Sequence, residues 1–131
     1  VLQVLPARAD AARLQQAVTA FAAGAPVRSG RVVLDIAELV ENGNAVPVSV
    51  SVESPMTAED HVREIAVFSE LTPLVELIQA RLTPQLGRAR LATRIRLATS
   101  QQLVALARLS DGSVWQHRVD VVVTLAACIE S

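Results

Sequence analysis

The sequence predicts a mainly β protein, an immunoglobulin-like β-sandwich with one N-terminal helix. Several short segments of period 2 follow one another at steady spacing, turn signals separate them, and only one segment carries helical spacing. Aromatic residues make up 2% of the 131 residues, so Val, Leu, Ile and Ala must fill the interior, as suits a β-rich core.

The helix is expected from about Asp10 to Ala23, where Leu14, Ala17, Val18 and Phe21 fall on one stripe and Asp10 is placed to cap. Gly24, Pro26 and Gly30 break that pattern, and the period changes near Arg31. Val33 to Leu39 alternates loosely and is read as a strand. After the turn signal Glu41-Asn42-Gly43-Asn44, Val46, Val48, Val50 and Val52 alternate strictly with Pro47, Ser49 and Ser51, which predicts a half-buried strand.

Val62 to Ser69 fits a further strand. Leu74 to Thr83, bracketed by Pro73 and Pro84, satisfies helix and strand alike on period, and its β neighbours favour strand. Leu91 to Ala98 sets Leu91, Thr93, Ile95 and Leu97 on one face and Ala92, Arg94 and Arg96 on the other. Gln102 to Leu109 and Val114 to Leu125 flank the Asp111-Gly112 turn, which reads the C-terminal half as a meander. The expected organisation is a helix and linker over residues 1–30, a sandwich domain over 31–125, and a C-terminal arm over 126–131.

Composition excludes several function classes. Hydrophobic residues reach 51%, enough to offset the entropy of ordering the chain and exclude global disorder. Twelve basic and thirteen acidic residues give a net charge of −1, without the broad positive field that nucleic acid or an anionic membrane surface requires. No run approaches the roughly 18 apolar residues of a membrane span. The chain opens at Val1 with neither Met nor a basic n-region, which leaves a removed signal peptide open.

Motifs of ordinary enzymes are missing: no Gly-rich phosphate loop, HExxH, CxxC or Ser nucleophile elbow is present, and His61 and His117 lie far apart. Neither histidine is assigned a role. His117 and Trp115 are expected to pack on the last strand. Arg94 and Arg96 share a face, with Arg88, Arg90 and Arg108 nearby in sequence, and are read as a solvated surface.

Cys128 stands apart. Free cysteine usually sits in a core, whereas this one lies three residues from the end, beyond the last periodic strand residue. A thiolate on a chain end can attack a sulfur electrophile or carry a sulfur species into another protein's cleft. Packing beside Leu125 and Ile129 as a small apolar residue is the competing reading.

Glu41-Asn42-Gly43-Asn44-Ala45-Val46-Pro47-Val48 resembles the ENG-x-x-VPV segment of SoxY, the sulfur-carrier subunit of bacterial thiosulfate oxidation. Thr93-Arg94-Ile95-Arg96-Leu97-Ala98 resembles that family's TRI(K/R) strand, Ser110-Asp111-Gly112 its hairpin turn, and Val119 to Thr124 the strand leading into its terminal arm. The order and spacing agree from about Arg31 to Cys128.

The resemblance implies an immunoglobulin-like sandwich and a periplasmic carrier that catalyses nothing and holds no cofactor. By position, Cys128 would carry the sulfur adduct. A SoxZ-like subunit would complete a heterodimer that visits sulfur-oxidising partner enzymes, a c-type haem enzyme and a metal-dependent hydrolase. The family's arm reads Gly-Gly-Cys-Gly-Gly, whereas here Ala126, Ala127 and Ile129 flank the cysteine and Glu130 follows. Ala-Ala is stiffer than Gly-Gly, Ile129 is bulkier, and Glu130 disfavours a thiolate. A non-catalytic binding or structural relative that has lost carrier activity is therefore the alternative, and an enzyme in its own right ranks below both.

Overall fold

The computed structural model describes residues 7–70 and 76–124. Its elements are a helix α1 (Ala7–Ala22) and strands β1 (Val27–Ser29), β2 (Val32–Asp35), β3 (Leu39–Val40), β4 (Val46–Val52), β5 (Val62–Ser69), β6 (Glu76–Arg81), β7 (Arg90–Ile95), β8 (Gln101–Leu109) and β9 (Val114–Val123). Among the described residues these strands form two sheets. The larger runs β1-β9-β8-β5-β6, with β3 added to β9, and the smaller runs β2-β4-β7.

The two sheets close over a core of aliphatic side chains. Strict alternation on β4 turns Val46, Val48, Val50 and Val52 inward, where they meet Ile65, Val67, Leu103 and Ala105 of the larger sheet. Each such side chain, fully buried, contributes about 1.5–3 kcal/mol. The opposite face of the larger sheet is covered by α1, whose stripe Leu14, Val18 and Phe21 packs on Ala66, Phe68, Val104 and Leu106. Phe21 and Phe68 meet edge to face, 6.3 Å between centroids. Strands β5 and β8 are thus buried on both faces, so their sequences read as nearly continuous apolar runs.

Three expectations are revised. The chain segment read as one strand from Val33 to Leu39 splits into β2 and β3, because the chain crosses between sheets at residues 36–38. The meander holds for β8 and β9, but β7 pairs with β4 in the smaller sheet. Residues 27–29, placed in a linker, form β1 and run parallel to β9. The strand reading of Leu74 to Thr83 agrees with β6 over Glu76–Arg81; Leu74 itself lies outside the described residues.

Two side-chain assemblies fasten the periphery. Helix α1 has no basic residue in its last turn, and Arg108 from β8 supplies one: its Nη2 donates to the Phe21 carbonyl, its Nε pairs with Glu64 at 3.1 Å, and its guanidinium lies 4.9 Å from the Phe21 ring centroid. At the β8–β9 turn, Trp115 Nε1 donates to Ser113 Oγ at 3.0 Å. The Ser113 hydroxyl and amide in turn donate to Asp111 Oδ1 at 2.6 and 2.8 Å. The Ser113 hydroxyl is the main cause, and its amide the next, of an Asp111 pKa held below the usual 3.8.

Arg108→Ala removes the charged donor at the helix end and strands Glu64. It is expected to lower stability by roughly 2 kcal/mol, read by urea denaturation, and to speed amide exchange in the last turn of α1. Because the folded-state pKa of Asp111 is depressed, its contribution is present above about pH 4 and is lost as pH falls through the folded value. The stability difference between wild type and Asp111→Asn, followed by the fluorescence of the single tryptophan, is expected to shrink over that acid range and stay constant at neutral pH.

Candidate functional site

Cys128 and the arm residues Ala126, Ala127 and Ile129 lie outside the described residues, as do the other positions from 125 onward. What the structure defines is the base from which that segment leaves, at the C-terminal end of β9.

Both edges of β9 are held there. On one edge β3 runs parallel to it, with Leu39 opposite Val122 and Val40 opposite Val123. The Val122 amide donates to the Glu38 carbonyl at 2.8 Å. The Thr124 amide donates to the Val40 carbonyl at 2.9 Å, and its hydroxyl reaches the same oxygen at 3.3 Å. On the other edge β8 pairs no further than Gln101 with Val121, and the Ser100 hydroxyl takes over, accepting from the Val123 amide at 2.8 Å. The strand is therefore hydrogen-bonded on both sides to its last described residues.

The Glu41-Asn42-Gly43-Asn44 turn braces this base. Asn42 Oδ1 accepts from the Asn44 amide at 3.0 Å, closing an Asx turn, and the Gly43 carbonyl accepts from the Leu97 amide at 2.8 Å. A Cβ on Gly43 would stand 2.0 Å from the Leu97 carbonyl oxygen and 3.4 Å from Val123 Cγ1. Glycine is required by close approach of two backbones, and that approach ties the turn to the end of β7 and to β9. The Thr93–Leu97 segment accordingly stops being a strand at Ile95. Leu97 is buried beneath the turn, while Thr93, expected on the buried face, is exposed.

Two apolar side chains are exposed beside the base. Leu39 and Val122, opposite one another, are 62% and 50% exposed. Alongside runs a groove of about 490 Å³ whose lining mixes apolar residues such as Val40, Pro47 and Ala92 with the charged Asp35, Glu41 and Arg90.

The other residues singled out from sequence serve the scaffold. His117 Nδ1 accepts from the Leu34 amide at 2.9 Å, so this half-buried ring joins β9 to β2 across the sheets. His61 Nδ1 donates to the Thr57 carbonyl at 3.0 Å. Trp115 has Arg28 and Arg31 at 5.7 and 5.6 Å from its ring centroid. Arg94 lies on edge strand β7 and Arg108 in the larger sheet, so the arginines grouped by sequence do not form one surface. Among the described residues no three of His, Cys, Asp and Glu converge to hold a metal, and no helix is long and apolar enough to cross a membrane.

The family model for sulfur oxidation protein SoxY matches residues 17–128. The chain belongs to the SoxY family. That match takes in the C-terminal part of α1 from Ala17, both sheets and the turn at Gly43, and its last residue is Cys128. No curated protein matches the chain. Among solved structures, the sulfur carrier protein SoxY from Chlorobium limicola f thiosulfatophilum is 22% identical, with a TM-score of 0.73 over 88% of this chain and 99% of that one. A superoxide reductase (neelaredoxin) from Ignicoccus hospitalis is also 22% identical, with a TM-score of 0.63 over 72% and 81%. A superoxide reductase from Nanoarchaeum equitans is 9% identical, with a TM-score of 0.60 over 73% and 100%. These likenesses establish a common sandwich fold, and the family membership expected from the ENG and TRI motifs is borne out.

Gly43→Ala is expected to cost roughly 1–3 kcal/mol through overpacking. Amide exchange at Leu97, Val123 and Thr124 should accelerate more than at the centre of β8, as read by hydrogen-exchange NMR.

Proposed function

We propose that this protein is a periplasmic sulfur carrier of the SoxY type, in which Cys128 holds the sulfur species covalently while partner enzymes do the chemistry. The observation that carries the reading is the clamped end of β9. Thr124 is fixed on Val40, and Cys128 follows four residues later, within about 13 Å of extended chain. A thiol tethered at that reach from a rigid base suits presentation to another protein's active site.

In the loading step the Cys128 thiolate sulfur forms an S–S bond to the outer sulfur of thiosulfate. The thiol proton goes to water, and two electrons pass to a haem-bearing partner enzyme, leaving a cysteine S-thiosulfonate. Hydrolysis of that adduct by a second partner would release sulfate and leave a persulfide. The exposed Leu39–Val122 pair and the groove beside it support docking of partners around the arm, a SoxZ-like subunit among them.

The changed arm favours a second reading. Ala126, Ala127 and Ile129 in place of glycines narrow the conformations and widen the cross-section of the segment that must enter a partner, as expected of a binding or structural relative without carrier chemistry.

Intact mass before and after incubating the reduced protein with thiosulfate, an oxidant and a matching haem conjugating enzyme separates the two. One thiosulfonate gained by wild type and none by Cys128→Ser is the expected result. No Cys128-dependent gain from an enzyme shown active on a glycine-flanked carrier would overturn the proposal in favour of the second reading.

A further inference from the structure

At the opposite end of the larger sheet from the arm, the register places three cationic side chains around one cleft. Arg81 of β6, Glu64 of β5 and Arg108 of β8 form a row across adjacent strands, Glu64 being the Cα partner of both arginines. A β-bulge adds a third arginine. Val62 faces Leu109 and Glu64 faces Arg108, so Arg63 is the extra residue between consecutive positions of β8. Such a bulge re-aims a side chain that strict alternation would send to the other face. Arg63, Arg81 and Arg108 line a cleft of about 520 Å³ together with His61, Glu64 and Thr83.

The charges there are not balanced. The single lining carboxylate, Glu64, is paired with Arg108, whose guanidinium is also used by the Phe21 carbonyl. Among the described residues nothing holds the guanidinium of Arg63 or of Arg81 in a hydrogen bond or ion pair. Thr83 adds a hydroxyl to the lining. Two uncommitted guanidiniums beside a third that is already neutralised supply planar donor forks suited to an oxyanion.

We infer that the Arg63–Arg81 cleft binds a small tetrahedral oxyanion of the sulfate class. Along β8 the seven residues from Arg108 to Gln101 put the cleft more than about 23 Å from the base of the arm, so this site does not depend on Cys128.

The test is an NMR titration of the full chain at low ionic strength, where surface electrostatics are least screened. Sodium sulfate is the probe, sodium chloride at matched ionic strength the control, and thiosulfate and phosphate are run separately to rank oxyanions. Saturable shifts at the amides of residues 61–64 and 81–83 are expected in wild type, in Arg94→Gln and in Cys128→Ser. Arg63→Gln and Arg81→Gln, both changes of exposed side chains, are each expected to weaken binding at least about tenfold. Shifts that fail to saturate, that chloride reproduces, or that persist with unchanged affinity in both variants would overturn the assignment.

Discussion

The burial of β5 and β8 on both faces is the constraint from which the rest of the structure follows. Valines of β4 cover one face and the stripe of α1 covers the other, so these two strands cannot expose a polar side without opening one of the two cores. Their neighbours inherit fixed positions: β9 is held along β8 from Gln101 to Arg108, and β6 along β5. Polar residues appear on β5 and β8 only towards the ends, and there they act as fasteners. Arg108 closes the helix terminus and pairs with Glu64, while Gln102 joins Asp120 and Arg118 of β9.

The rigidity of β9 is what gives the C-terminal segment a defined origin. An edge strand normally leaves one row of backbone groups without partners, and this edge is instead paired with β1 at its start and with β3 at its end, while the His117 side chain between them ties β9 to the Leu34 amide of β2. The Gly43 turn then presses on Leu97 and Val123, so that the smaller sheet, the turn and β9 meet at one point. A carrier reading of Cys128 draws its force from that junction, because a thiol on a short tether is positioned only as well as the strand that bears it.

Much of this was legible in the residues. The alternation of Val46 to Val52 identifies a one-faced strand because period 2 has a single physical meaning on a pleated sheet, and the stripe Leu14, Val18 and Phe21 expected over Asp10 to Ala23 matches the buried face of α1, although the helix starts at Ala7 and so takes Asp10 into its first turn instead of at its cap. The ENG and TRI segments were recognisable as motifs. Their mutual contact was not, since Gly43 and Leu97 are separated in sequence by the four strands β4 to β7, and nothing local announces that two backbones will touch. The splitting of Val33 to Leu39 into two strands was hidden for a related reason: a crossing between sheets changes which strand is paired without changing the residue types that favour extended backbone.

By itself, the sequence determined the class of fold, the positions of most strands, the family and the place of the lone cysteine in the chain. These follow from periodicity, turn chemistry and motif order, all of which act over a few residues. Only the tertiary structure decided that β7 leaves the meander for the smaller sheet and that His117 spans two sheets. It also set Arg108 on the helix end and raised Arg63 on a bulge beside Arg81. Those outcomes depend on register between strands distant in sequence, which is fixed by how two cores pack on one sheet and not by any residue's own preference.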